Sequence, residues 1–226
     1  MSAAPTLDLE HRLLGERPLI IALDEVGRGA LAGPVAVGGA VMNAETAAVP
    51  VPDGLRDSKL ITEKRRPDVA ARAAAWVPVS TVGWASSAEV DEVGIIRALG
   101  LAALRAIEQI AGAGFDPRDA VVLLDGNHDY ITTTARGSDE WASAAGLDVR
   151  TVVKGDRDCA SISAASVAAK VARDALMVDL DAGYPDYAWA RNKGYASAAH
   201  REAIARLGLT DHHRRSWAIA EVPTLF

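Results

Sequence analysis

Three short apolar runs in this chain end on carboxylates: LIIALDE at residues 19–25, AVVLLDG at 120–126, and LDVRTVVKGD at 147–156. Runs this rich in Val, Ile and Leu read as buried strands. An ionised acid taken out of water costs several kcal/mol unless something neutralises it, and neighbouring acids such as Asp24 and Glu25 also repel each other. The acids therefore mark strand ends that are either exposed to water or built to hold a cation. In an α/β sheet, strand ends that are distant in sequence meet in one crevice, so this feature constrains fold and chemistry together.

The intervening segments alternate in type. PVAVGGAVM reads as a second strand joined to the first by a hairpin or meander, with Gly38 and Gly39 as a bulge. A basic helix is expected around TEKRRPDVAARAAA, and Val77, Val79 and Val82 give a third β-like run. Between Ile95 and Ile110, apolar residues recur at helical spacing (Ile96, Leu99, Ala103, Ile107), which predicts an amphipathic helix closed by AGAGFDP. Residues 127–147 read as a long polar loop. The Ala-rich stretch CASISAASVAAKVARDALMVDLDAG predicts a long helix able to lie close to a sheet, and KGYASAAHREAIARLG a further helix.

At 226 residues, half of them hydrophobic, the chain suits a single domain spanning 1–226, with a helical basic portion at about 184–226 inside it. A net charge of −6 argues against coating nucleic acid by bulk electrostatics. From Tyr187 to Trp217, however, Arg191, Lys193, Arg201, Arg206, Arg214 and Arg215 face only Glu202 and Asp211, with Tyr195 and Trp217 interleaved. That surface suits nucleic acid, with a solvated helix face as the competing account. One cysteine, Cys159, rules out an intrachain disulfide, and the first residues lack a secretory pattern. No apolar run spans a bilayer, so the expectation is a cytoplasmic protein with no membrane partner.

Asp24, Glu25, Asp125 and Asp156 offer oxygen donors with no His or Cys among them, which suits Mg²⁺ or Mn²⁺ rather than zinc. Two such ions roughly 4 Å apart bridge a phosphodiester in hydrolytic phosphoryl transfer. Asp158 competes with Asp156 for the last position. The loop Gly27, Arg28 and Gly29 lets backbone amides approach a sugar-phosphate and adds one positive charge. The HHRRSW cluster has no CxxC or HExxH beside it, which argues against a zinc site.

LDEVGRGALAGPV, DSKLITEKRR, LLDGN, KGD with SISAASVAAKVARD, NKGY and HHRRSW occur in that order, and from Ile20 to Trp217 the chain resembles the bacterial ribonucleases HII. The resemblance implies a ribonuclease H-like α/β fold, a mixed central β-sheet flanked by helices with a helical C-terminal portion. It implies an endonuclease that uses Mn²⁺ or Mg²⁺ to hydrolyse the RNA strand of RNA–DNA hybrids and serves ribonucleotide removal in replication and repair. Cleavage is expected on the 5′ side of ribonucleotides embedded in duplex DNA, leaving 3′-hydroxyl and 5′-phosphate ends.

By position, Asp24, Glu25, Asp125 and Asp156 match the family's metal-binding acids. Gly27, Arg28 and Gly29, together with Tyr195 of KGY, match its readers of the 2′-hydroxyl, the group that tells RNA from DNA. Lys59, Arg214 and Arg215 are the remaining expected substrate contacts. Leu60 stands where the family usually has a second lysine, and Gly94 where it has an asparagine. The connection from Asp125 to Asp156 is longer than usual, and its His128, Asp129, Asp139 and Glu140 are expected to decorate the surface.

Two other readings compete: a DNA-directed nuclease of the same fold, and a non-catalytic nucleic-acid binding protein. The intact acids argue against the second, since binding alone has no use for carboxylates facing phosphate. The terminal EVPTLF is similar to the short apolar peptides by which replication proteins grip a sliding clamp, although their usual glutamine is absent. A tail folded back on the domain is the competing expectation.

Overall fold

The computed structural model describes residues 4–217; the EVPTLF tail, and with it the sliding-clamp expectation, lies outside the described residues. Five strands, β1 (Leu19–Val26), β2 (Val35–Met42), β3 (Ser80–Ala85), β4 (Ala120–Asp125) and β5 (Asp148–Val152), form one mixed sheet in the order β3-β2-β1-β4-β5. The first three pair antiparallel, and β4 and β5 join parallel to β1.

The helices, in chain order, are α1 (Asp8–Leu14), α2 (Ala44–Ala47), α3 (Arg66–Trp76), α4 (Ser87–Val93), α5 (Ile95–Gly112), α6 (Tyr130–Arg136), α7 (Gly155–Asp158), α8 (Ala160–Asp181), α9 (Trp189–Asn192) and α10 (Ala198–Leu207). None of the described helices is long and apolar enough to cross a membrane.

Alternation along β1 sorts the core into two layers. Ile21 and Leu23 join Leu99, Ala103, Ile107 and Ile110 of α5 on one face, whereas Ile20 and Ala22 meet Ile162 of α8 on the other. The same alternation places Asp24 on the α8 face and Glu25 on the face of α5 and α6.

Two expectations change. β1 continues through the acids to Val26, and β2 carries no bulge, since Leu23↔Gly39 and Asp24↔Gly38 pair in unbroken register. Gly38 is needed for layer spacing: a Cβ there would overlap the Ala165 carbonyl of α8, so the Ala-rich helix lies flush on the strand. Residues 127–147 are not wholly loop either. Asp129 accepts from the amides of Ile131 and Thr132 and so caps α6, and Tyr130 and Ile131 are buried beneath α5.

Candidate active site

Sheet register brings the acids together. Leu23 pairs with Leu124 in parallel, so Asp24 and Asp125 come one step later on adjacent strands. Asp125 pairs in turn with Val152, after which Lys154 takes a left-handed turn (φ 62°) and α7 brings Asp156 back over the strand end. The Asp156 amide donates to Asp125 Oδ1 at 3.1 Å. Asp158 points elsewhere, paired with Arg157 at 2.7 Å.

Burial raises the Asp24 carboxyl well above the ordinary range; Asp125, Glu25 and Asp156 push the same way against a hydrogen bond from Ser166. Burial also raises Glu25, opposed by Arg28 at 3.6 Å and by the Tyr130 hydroxyl, which donates to Oε2 at 3.2 Å. Asp125 is raised by burial and then by Asp156, against the amides of Asp156 and Gly155 and the charge of Lys59.

Lys59 Nζ lies 3.1 Å from Asp156 Oδ2. Burial acts to lower its pKa, but the bond and attraction of Asp156 outweigh that and raise it. Among the described residues, no three His, Cys, Asp or Glu side chains are gathered into a closed ligand set. The donor set nevertheless fits a hard divalent cation: its members are all carboxylates, three are held above their ordinary pKa partly by one another, and a lysine ammonium already sits on the fourth.

Beside the acids runs an open cleft of about 570 Å³, lined by Asp24, Glu25, Gly27, Arg28, Gly29, Lys59 and Tyr195 among others. Two buried arginines fix its floor. Arg214 donates to the carbonyls of Gly27 (2.6 Å), Arg28 (2.8 Å) and Gly33 (3.1 Å). Arg173 donates to those of Pro34 (2.8 Å), Lys193 (2.9 Å) and Ala32 (3.1 Å). With these carbonyls tied inward, Gly27 sits at φ 84° against Arg173, whose guanidinium a Cβ would overlap. Burial lowers both guanidinium pKa values, that of Arg214 to about 10. The Tyr195 ring lies on Arg173, 5.4 Å from its guanidinium, with Lys170 at 5.9 Å.

The expected contacts thus separate. Asp24, Glu25, Gly27, Arg28, Gly29, Lys59 and Tyr195 share the cleft, while Asp125 and Asp156 adjoin it through the acids and Lys59. Arg214 is corrected from a surface contact to a buried support, because all its hydrogen bonds go to backbone carbonyls. Arg215 is exposed and paired with Asp211 at 2.8 Å. Sequence reading missed Ser58, Arg66, Ser166 and Lys170 in the cleft. A signal existed: Ser163, Ser166, Lys170, Arg173 and Asp174 recur at helical spacing on the otherwise apolar α8. Tyr130 was hidden in the segment read as loop.

The ribonuclease HII family model matches residues 21–220. The chain is 44% identical over 213 residues to ribonuclease HII of Streptomyces avermitilis, covering 94% of this chain and 82% of that one. It is 42% identical to ribonuclease HII of Paracoccus denitrificans, covering 95% and 92%. The chain belongs to the ribonuclease HII family. Among solved structures, ribonuclease H2 from Pyrococcus horikoshii matches with a TM-score of 0.65 at 25% identity, over 89% of this chain and 95% of that one. Ribonuclease HII of Archaeoglobus fulgidus, solved as a PCNA complex, matches with 0.68 at 24% identity, over 88% and 95%. The fold is ribonuclease H-like, and the protein is a metal-dependent ribonuclease that hydrolyses RNA in RNA–DNA hybrids and removes ribonucleotides.

Proposed function

We propose that Asp24, Glu25, Asp125 and Asp156 hold two Mg²⁺ or Mn²⁺ ions, and that the enzyme cuts on the 5′ side of a ribonucleotide in duplex DNA to leave 3′-hydroxyl and 5′-phosphate ends. The observation that carries this reading is the single cleft in which the acids adjoin Gly27–Gly29 and Tyr195. Bound divalent cations supply Lewis acidity to water and screen charge developing on the phosphodiester.

The chain's own residues do the positioning. With their carbonyls held by Arg214, Gly27 and Arg28 turn a firm backbone surface toward the sugar, and Tyr195 on Arg173 closes the other side, so a 2′-hydroxyl is met from two directions. Lys59, Lys170 and Arg66 give the cleft cations able to meet backbone phosphates. Arg215 is an exposed site for a flanking phosphate.

The test is cleavage of a duplex carrying one ribonucleotide, scanned over Mg²⁺ and Mn²⁺, with the cut mapped. Cutting 5′ to the ribonucleotide is expected; an all-deoxy duplex cut equally fast would overturn the substrate assignment. The A. fulgidus complex with PCNA lends support to a clamp contact through residues 221–226. Capture by a sliding clamp with and without residues 222–226 tests it, and equal capture sinks it.

A further inference from the structure

Two buried histidines are used by nothing above. His200, in the first turn of α10, and His213, beside Arg214, are 0% and 1% exposed, and their Nε2 atoms lie 3.1 Å apart. We propose that His200 and His213 form a proton-locked pair that positions Tyr195 for reading the ribose, so that preference for ribonucleotides depends on imidazoles that the substrate does not touch. The proposal rests on the reading of Tyr195 given above.

Proton placement follows from the partners. An indole N–H only donates, and that of Trp189 points at His200 Nε2 from 3.0 Å, so this nitrogen carries no proton. The proton of His200 therefore sits on Nδ1, which donates to the Tyr195 carbonyl at 2.9 Å. His213 Nε2 faces the same bare nitrogen and must be the N–H of the pair. Its Nδ1 is then bare and accepts from the Thr210 amide and hydroxyl, each at 2.9 Å. In this pattern Trp189 and His213 share the one lone pair of His200 Nε2, and a proton added to that nitrogen sets it face to face with two N–H donors.

Surroundings favour this neutral state. Burial lowers the pKa of both rings, that of His213 to about 4, with His200, His212 and Arg215 contributing to the latter. The remaining close rings, Tyr187 and Trp189, offer faces and edges and no carboxylate. The pair also joins two parts of the cleft wall. The Tyr195 carbonyl accepts from His200 as well as from the Ser197 amide at 2.8 Å, whereas His213 precedes the Arg214 that holds the carbonyls of Gly27 and Arg28. A purely packing role would need only aromatic bulk at these positions.

Two substitutions at one position separate those roles. His200→Asn offers an amide N–H near the place of Nδ1 and keeps a donor for the Tyr195 carbonyl. His200→Gln reaches Trp189 and His213 instead and drops the Tyr195 bond. Relative to His200→Asn, His200→Gln is expected to lower kcat/KM on a single-ribonucleotide duplex by about tenfold or more, the scale of a small misplacement at a reacting centre. Its Mn²⁺ dependence should not change.

Equal rates for the two variants would overturn the proposal. Tyr195→Ala is measured alongside: wild-type cutting by it removes the ribose reading and the proposal with it, whereas slowed cutting with equal His200 variants removes the pair's role alone. Imidazole nitrogen NMR of the wild type needs no variant. Expected are His200 Nδ1–H and His213 Nε2–H at pH 7; any other tautomers, or an imidazolium, refute the pair.

Discussion

Asp24 and Arg173 are both almost wholly removed from water, at 6% and 0% exposure, yet their surroundings differ in kind. Around Asp24 stand three other acids, and the hydrogen bonds available to the group are few, so its charged form is disfavoured. Arg173 and Arg214 have no carboxylate within ion-pairing distance among the described residues, yet they donate to six different backbone carbonyls. The acidic wall is left short of positive charge, which is what a site awaiting cations requires. The guanidinium floor is saturated, which fixes a loop in one shape. Chemistry sits where electrostatics are unbalanced, and recognition sits where they are locked.

Removing one member of the acidic wall should have the largest effect. Asp24→Asn or Asp125→Asn is expected to lower the cleavage rate on the order of 10³-fold, the scale of losing a key electrostatic contact in the transition state. The fold should survive, because the change also removes a buried like charge, and the thermal midpoint without metal should equal or exceed that of the wild type. Retained activity, or a collapsed midpoint, would break the contrast between acidic wall and guanidinium floor.

Arg214→Met should behave in the opposite way. It orphans the carbonyls of Arg28 and Gly33 and leaves that of Gly27 with the Ala30 amide alone, and each buried acceptor left without a donor costs about 1–3 kcal/mol. Denaturant unfolding should show that loss, and preference for a ribonucleotide over a deoxynucleotide should fall with it. A variant as stable as the wild type would mean that the floor is not locked by this residue.

Acid exposes a third difference, at the histidine pair. An unfolded His213 titrates near 6.5, whereas the folded group titrates at about 4, so between those values the unfolded chain binds the extra proton. Stability from this group is complete above about pH 6.5, falls as pH drops towards 4, and changes no further below that. Carboxylates contribute to acid unfolding as well, so the readout is the difference between wild type and His213→Asn. The wild type should lose stability more steeply from pH 6.5 to 4, and parallel curves would refute the assignment.

How much of this was legible follows from what each residue needs. The strand-end acids announced themselves, since an acid after an apolar run contradicts its surroundings, and the α5 and α8 helices were plain from period and composition. From sequence Gly38 reads as a bulge, but a bulge and a close helix both call for glycine, and only the register separates them. Arg214 was misplaced because a basic cluster reads as surface, and nothing in HHRRSW tells which arginine turns inward. The α6 helix is hidden because the seven residues YITTTAR are too few to show a period, and its burial under α5 is a tertiary fact.

Lys59 is a cation on the acidic wall, and it should give the smallest effect. It pairs with Asp156 at 3.1 Å, but its side chain is 75% exposed, unlike the enclosed arginines. An exposed pair contributes about 0–1 kcal/mol because water screens it and two side chains must be ordered to form it. Lys59→Ala should therefore shift unfolding stability by less than about 1 kcal/mol. If Lys59 meets a phosphate once metal takes over Asp156, KM for the duplex should rise by a few-fold and depend less steeply on salt, while kcat stays near its wild-type value. A fall in kcat with KM unchanged would instead place the ammonium at the reacting phosphate, and move Lys59 from the recognising to the hydrolysing side of the cleft.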